Sequence, residues 1–309
     1  MISEPLKSVD AWVNYIDNLN IPVLTQTQIE LAKLRKDEDN INIHDIGHVI
    51  HHDALMALHV LHYLQRHRSS LQITDITTLN RAILMLGSSR FFKTFTTFDT
   101  IEKQLSMHPK ALNGIRRVLQ RAHLAATCAD IWGGFRFDID NQEVTIAALL
   151  RDTAEIILWY IAPTLMLRIR SLQKGDKHLR SHIAQKSVLG FSIIELQLAL
   201  VKRWQLPKLL AMLMDENNVE HPRVRIVKTA MTFSRHSMNG WEDAGLPDDF
   251  DDISKICGVD ADEGRRIALK ATLKAAHDWH WYQLLPSATY LISQPFLATR
   301  PANKLNLTN

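Results

Sequence analysis

Apolar side chains recur along most of the chain with the spacing of amphipathic helices. A short example ends at Gly87 and consists of Leu79, Ala82, Ile83 and Leu86. A longer apolar stripe runs from Ile115 to Trp132 and is followed by two glycines, which commonly terminate helices. No segment shows sustained alternation of apolar and polar residues. The pattern therefore predicts an all-α fold.

Polar residues that favour helix N-termini mark where several of these helices begin. Asn42, with Asp45 three residues later, resembles a capping box that opens a helix to about residue 51. Asp53 is expected to cap the next helix, which extends to about residue 67. Asp260, with Glu263 three residues later, predicts a helix to about residue 281.

Two segments suggest how the chain is divided. Residues 99–114 are polar and are predicted to link two helical lobes, 1–98 and 115–240. Residues 239–252 are acidic and rich in turn-forming residues. They are predicted to separate a C-terminal helical extension over 250–309.

Composition favours a helical globular protein. Hydrophobic residues make up 46% and charged residues 22% of the 309 residues, which excludes disorder for most of the chain. Glycine and proline number only 11 and 10, too few for many short strands. The sequence has two cysteines, lacks a signal-peptide pattern, and has a longest apolar run of twelve residues. These features predict a cytoplasmic protein without a membrane partner.

The first candidate site lies in the segment from Val144 to Leu167, which is apolar on nearly all sides and predicts one buried helix. Its charged residues are Arg151, Asp152 and Glu155. Burying an unpaired charge costs several kcal/mol, so Arg151 and Asp152 are expected to have partners. The charges form either a structural ion pair on a partly hydrated face or the remains of a ligand or metal pocket.

Histidines form the second candidate site. His44, His48 and His52 are spaced four residues apart on one helix face, a spacing that can bind zinc. Because no Cys, Asp or Glu is placed to complete the ligand shell, we expect structural or surface histidines here. His123 lies at the edge of the long apolar stripe and is expected to be a hydrogen-bonded packing residue. As a metal ligand it would need two or three further His, Asp or Glu groups near it.

Residues 253–259 and the helix that follows them weakly resemble a helix-turn-helix. The helix carries Arg265, Arg266 and Lys270, side chains of the type that contact DNA phosphates. The net charge of only +3 does not by itself indicate a nucleic-acid partner, and none is expected.

Five stretches of sequence, in this order, resemble the motifs of the HDOD family, the "HD-related output domain" of bacterial signalling proteins. The third matches the family's VTSIxxAIxxLG helix closely, and the second has Ala54 where proline is usual in the I-x-x-DPxL turn. The resemblance extends over about residues 15–240. The five stretches are Ile21–Leu24, Ile50–Leu55, Ile76–Gly87, Leu149–Glu155, and Leu189-Gly190 with Arg203–Pro207.

This resemblance implies an HD-like module of two helical lobes, related to the metal-dependent HD phosphohydrolases. In those enzymes His and Asp ligands hold metal ions that activate water. By comparison with them, His123 falls near the first ligand position and Asp152 matches the Asp of the His-Asp pair, whereas Arg151 and Met231 stand at two other ligand positions. A guanidinium has no lone pair to offer a metal. The resemblance thus implies a vestigial pocket at His123, Arg151 and Asp152, without catalytic residues, metal or cofactor.

A specific hypothesis follows for Arg151. Its permanent charge is expected to substitute partly for the missing metal by pairing with Asp152 and with Glu155. Truncating Arg151 to Ala would then leave a buried carboxylate unpaired, at a cost of about 3 kcal/mol.

The resemblance implies a non-enzymatic regulatory protein of bacterial signal transduction. It is expected to act through contact with a signalling protein or a small ligand, with a link to cyclic-di-nucleotide or two-component pathways. The first alternative is a metal-dependent phosphohydrolase with an altered ligand set of His123, Asp152, Asp215 and Glu216. The second is a DNA-binding regulator that uses the three basic residues of the C-terminal extension.

Overall fold

Every regular element of the described chain is a helix. The computed structural model describes residues 1–36, 41–67, 76–95, 97–176, 178–215 and 218–293. Within these ranges Val23 and Thr100 form an isolated parallel bridge, and no strand is present. The predicted all-α fold is confirmed.

The first part of the chain forms short helices whose predicted caps are present. The side chain of Asn42 accepts a hydrogen bond from the amide of His44, and Asp53 caps the helix that follows it. The helix predicted from Leu79 ends before Gly87, whose φ of 74° favours glycine. The helices are α1 (Val9–Asp17), α2 (Thr25–Arg35), α3 (Ile43–Ile50), α4 (Ala54–Arg66), α5 (Leu79–Leu86), α6 (Ser88–Thr94) and α7 (Ile101–Gln104).

The rest of the chain is built around one long helix, α8 (Pro109–Gly133). All residues of the predicted apolar stripe are buried in it. Residues 99–114, predicted to link two lobes, contain α7 and the first turns of α8. The later helices are α9 (Asn141–Leu150), α10 (Thr153–Ile161), α11 (Pro163–Gly175), α12 (Ser181–Leu189), α13 (Ile193–Arg203), α14 (Lys208–Met214), α15 (Pro222–Asn239), α16 (Leu246–Cys257), α17 (Ala261–Ala276) and α18 (Trp279–Tyr282), followed by a 3-10 helix over Ser287–Ser293.

The prediction of a single buried helix from Val144 to Leu167 is wrong. The segment forms α9, α10 and the start of α11, and the chain breaks helical geometry near Asp152 and again before Pro163. At the first break, the side chain of Gln197 in α13, which is 2% exposed, hydrogen-bonds the backbone groups that would otherwise be unpaired. Its side chain donates to the carbonyl of Leu150 (3.0 Å) and accepts from the amide of Ala154 (2.7 Å). A tertiary contact therefore replaces the backbone hydrogen bonds that a continuous helix would have made.

The C-terminal helices pack onto the centre of the molecule. Helix α16 begins inside the acidic segment 239–252 and packs against α15 and α17, and α17 packs against α8. Asp260 caps α17 as predicted, accepting from the amide of Glu263 at 2.8 Å. The predicted helix to about residue 281 is interrupted after Ala276, and α18 follows. The buried core extends from Trp12 to Leu291.

Among the described residues, no single helix is both long and apolar enough to cross a bilayer. The pair α12 and α13, which meet at a bend of 73°, satisfies that length and composition only when taken together.

Candidate functional site

A buried carboxylate holds the turn between α3 and α4. Oδ2 of Asp53 accepts hydrogen bonds from the amide of Leu24 and the hydroxyl of Thr27, each at 2.8 Å, and Oδ1 accepts from the first amides of α4. Burial raises the pKa of Asp53, and these four hydrogen bonds oppose the rise. The carboxylate joins the start of α2 to the turn and so fixes the position of the adjacent His52.

His52 lies beside His123 of α8 and Asp278, which immediately precedes α18. Nε2 of His123 is 3.1 Å, and Nε2 of His52 is 3.2 Å, from the same atom, Oδ2 of Asp278. The two imidazole centroids are 4.7 Å apart. Both histidines are buried, whereas the side chain of Asp278 is 28% exposed. Within the described ranges, this trio is the group of His, Cys, Asp or Glu side chains whose ligand atoms are close enough to hold a metal ion.

The residues around α18 cover this trio, which we call the His-Asp-His cluster. The indole of Trp281 stacks on the ring of His52, with centroids 4.3 Å apart and planes inclined by 7°. The hydroxyl of Tyr282 donates to the backbone carbonyl of His52 at 2.9 Å. The C-terminal segment therefore supplies one member of the cluster and also packs over another.

Burial and hydrogen bonding shift the pKa values of two members of the cluster, His52 and Asp278. Burial lowers the pKa of His52, because desolvation disfavours the imidazolium. Burial acts to raise the pKa of Asp278, but its contacts with His123 and His52 outweigh that effect and hold the pKa below the ordinary range. Close by, burial lowers the pKa of His51 to about 4.

Two of these three residues, His52 and His123, are candidates from the sequence, but the sequence pattern does not connect them. His123 is buried and hydrogen-bonded, with a partner 155 residues further along the chain. His44 and His48 are exposed, as expected of surface histidines, whereas His52 is buried in the His-Asp-His cluster. Asp278 was missed altogether. The aromatic run Trp279–Tyr282 is a signal that could have found it, because it indicates that this part of the extension packs against the rest of the protein.

A second ionic cluster joins α8 to α10. The guanidinium of Arg121 contacts Oδ2 of Asp152 through Nε (2.8 Å) and Nη2 (2.5 Å), and its Nη2 also lies 2.6 Å from Oε2 of Glu155. Burial acts to lower the pKa of Arg121, but the two carboxylates raise it above the ordinary value. The hypothesis assigned this cation to Arg151, which is the C-cap of α9, whereas the structure places the guanidinium of Arg121 on both carboxylates.

The described members of the altered ligand set considered for a phosphohydrolase lie in different parts of the structure. His123 belongs to the His-Asp-His cluster, and Asp152 belongs to the ion pair with Arg121. Asp215 is the C-cap of α14, and Glu216 lies outside the described residues. Met231 of α15 is half-buried and packs against the hydrophobic core.

The segment that resembles a helix-turn-helix forms α16 and α17. A side chain on Gly264 would place Cβ 2.1 Å from Oγ of Ser254, so the glycine permits close packing of the two helices. Arg266 is paired with Glu263 in the first turn of α17, and the guanidinium of Arg265 lies 5.1 Å from the centroid of Phe250. Both arginines thus have contacts within the chain.

Comparison with known proteins agrees with this architecture. The family model of the HDOD domain matches residues 21–219. The fold is similar to that of the MmoQ response regulator from Methylococcus capsulatus, with a TM-score of 0.61, 12% identity, and 81% of this chain and 98% of that chain covered. It is also similar to a virulence factor from Campylobacter jejuni, with a TM-score of 0.59, 16% identity, and 93% and 96% covered. No curated protein matches the chain by sequence.

The matched segment includes His52, His123 and Arg121 but ends well before Asp278. It also contains the five stretches on which the sequence resemblance rests. Since the family model covers more than half of the residues, the chain belongs to the HDOD family.

Proposed function

We propose that this chain is a non-catalytic regulatory protein of bacterial signal transduction, which acts by binding a signalling protein or a small ligand. The HDOD family is generally a non-catalytic output domain, and membership supports a regulatory role. The first structural match is a response regulator, which fits the same role. A cyclic di-nucleotide is the small ligand we consider first, on the family resemblance.

The main support for the proposal is that the guanidinium of Arg121 forms ion pairs with Asp152 and Glu155. By the family resemblance, Asp152 corresponds to a metal-binding aspartate of the related hydrolases. A guanidinium stays protonated and offers no lone pair, so it neutralises the carboxylates without activating water. The side chains of Arg121 and Asp152 are 17% and 14% exposed, so the two charges neutralise each other largely away from water.

The first experiment tests catalysis. We expect the purified full chain to hydrolyse neither bis(p-nitrophenyl) phosphate nor cyclic di-GMP when supplied with Mg²⁺, Mn²⁺, Fe²⁺ or Zn²⁺. Metal-dependent turnover that is lost in Asp152→Asn would overturn the proposal in favour of the phosphohydrolase alternative. Isothermal titration calorimetry with cyclic di-GMP in the same samples tests whether the chain binds this small ligand.

The second experiment tests whether the ionic cluster has a chemical role in the cell. We expect the triple variant Arg121→Met, Asp152→Asn and Glu155→Gln to complement a deletion strain, because it removes the charges together and leaves none of them unpaired. Failure of a folded triple variant to complement would argue that the charges do more than support the fold.

A further inference from the structure

The His-Asp-His cluster contains a buried nitrogen that lacks a hydrogen-bond partner. Nδ1 of His52 lies 2.8 Å from the backbone carbonyl of His48. A carbonyl oxygen only accepts hydrogen bonds, so Nδ1 carries the hydrogen, and Nε2 of the neutral ring presents a lone pair. His52 is 2% exposed, and its Nε2 has no hydrogen-bond partner among the described residues.

This nitrogen lies close to a negatively charged group. Nε2 of His52 is 3.2 Å from Oδ2 of Asp278, an atom that also lies 3.1 Å from Nε2 of His123. Two electron-rich atoms at this distance repel each other unless a cation lies between them or beside them. A buried polar atom without a partner is costly, so the arrangement calls for an additional group.

The spacing of the three atoms suits a metal ion. With metal–nitrogen and metal–oxygen bonds of about 2.0–2.1 Å, the ligand atoms of a tetrahedral site lie about 3.3 Å apart. The two measured separations are 3.1 and 3.2 Å, and all three atoms lie within 4.8 Å of one another. The hydrogen bond from Nδ1 of His52 to a backbone carbonyl is the kind of contact that orients metal-bound histidines.

We propose that His52, His123 and Asp278 bind one divalent transition-metal ion. Two imidazoles and one carboxylate match zinc and its first-row neighbours, whereas magnesium and calcium prefer sites made of oxygen atoms. The partly exposed side of Asp278 gives the ion access and leaves a coordination position for water. The ion would fasten the start of α18 to α8 and to the turn between α3 and α4.

This site is separate from the ionic cluster that carries the proposed function. Arg121 and His123 are two residues apart on α8, and residues with that spacing do not face the same way. Metal binding at the His-Asp-His cluster can therefore fail while the regulatory role stands, and the reverse is also true.

The test is titration of the full chain, freed of metal by chelation, with zinc chloride and separately with cobalt chloride. We expect one ion per chain, and a visible absorption band of coordinated cobalt. Asp278→Asn and His123→Ala should each weaken zinc binding at least about a hundredfold, because loss of a supporting outer contact alone costs 10–100-fold in such sites. Zinc should raise the melting temperature of the parent but not that of Asp278→Asn.

The matched control is His236→Gln. His236 forms a partly buried pair with Asp249, with Nδ1 2.6 Å from Oδ2, and this pair is not part of the metal-type group. This variant should bind zinc as the parent does. If His123→Ala fails to fold, as circular dichroism would show, the partly exposed Asp278→Asn decides the outcome. Zinc binding that is unchanged in Asp278→Asn would mean adventitious surface binding only and would overturn the proposal. The absence of zinc binding by the folded parent would overturn it as well.

Discussion

Arg121 and Asp152 form a salt bridge in which both Nε and Nη2 of the guanidinium contact the single oxygen Oδ2. The interaction joins the middle of α8 to the N-terminus of α10, and Glu155 one turn later adds a second carboxylate. Because all three side chains are largely buried, the positive charge is balanced within the protein rather than by water. The cluster is therefore expected to matter for stability.

Replacing Arg121 by Ala should destabilise the protein by about 3 kcal/mol, because two buried carboxylates lose their counter-charge. Chemical denaturation followed by circular dichroism measures this change. The matched control is Arg136→Ala, which removes an exposed ion pair with Asp138 and should cost less than about 1 kcal/mol. Equal losses in the two variants would show that the buried cluster adds nothing to stability.

Local signals predicted the helices well. Asn42, Asp53 and Asp260 cap helices where the sequence places them, since a side chain that bonds the next few amides depends on neighbours in the chain. The long apolar stripe is likewise buried in α8, because helical periodicity is itself a local property.

The candidate sites were harder to predict, because their members come from distant parts of the chain. His52 and Asp278 are separated by more than two hundred residues and meet only after α3, α8 and α18 have packed. The partner of Asp152 was assigned to its neighbour Arg151, whereas Arg121 of α8 takes that role. A buried carboxylate predicts that some cation is nearby, but its identity depends on tertiary packing.

Gln197 should be essential for the break between α9 and α10. In Gln197→Leu, the carbonyl of Leu150 and the amide of Ala154 lose their side-chain partners in a buried place. Each unsatisfied group costs about 1–3 kcal/mol, so we expect a loss of about 2–5 kcal/mol in the free energy of unfolding. Gln104→Leu, at the exposed end of α7, serves as the control and should change stability by less than about 0.5 kcal/mol. A similar small change in Gln197→Leu would contradict the role of its amide.

Tyr282→Phe tests whether the C-terminal segment is held on the core by a specific bond. The variant keeps the fully buried ring but removes the donor to the carbonyl of His52, at an expected cost of about 1–2 kcal/mol. Amide hydrogen exchange should become faster around α18 first, where the contact is lost. Tyr15→Phe, on an exposed part of α1, should leave both measurements unchanged.

Acid should destabilise the protein through its buried histidines, and His59 allows the effect to be isolated. Burial lowers the pKa of His59 below its ordinary value of 6.5, while its Nε2 stays 2.8 Å from the carbonyl of Ile21. Below pH 6.5 the unfolded chain binds a proton that the folded chain resists, so unfolding is favoured as the pH falls. The contribution of neutral His59 is therefore complete above about pH 6.5 and is lost progressively below it.

We expect the melting temperature to fall between pH 7 and pH 5, and to fall less steeply in His59→Gln, whose amide can still donate to the carbonyl of Ile21. Calorimetry at several pH values measures both slopes. The control is His178→Gln at an exposed position, which should retain the slope of the parent. A His59→Gln slope equal to that of the parent would place the acid sensitivity in other groups, since only a difference in proton binding between the folded and unfolded states produces it.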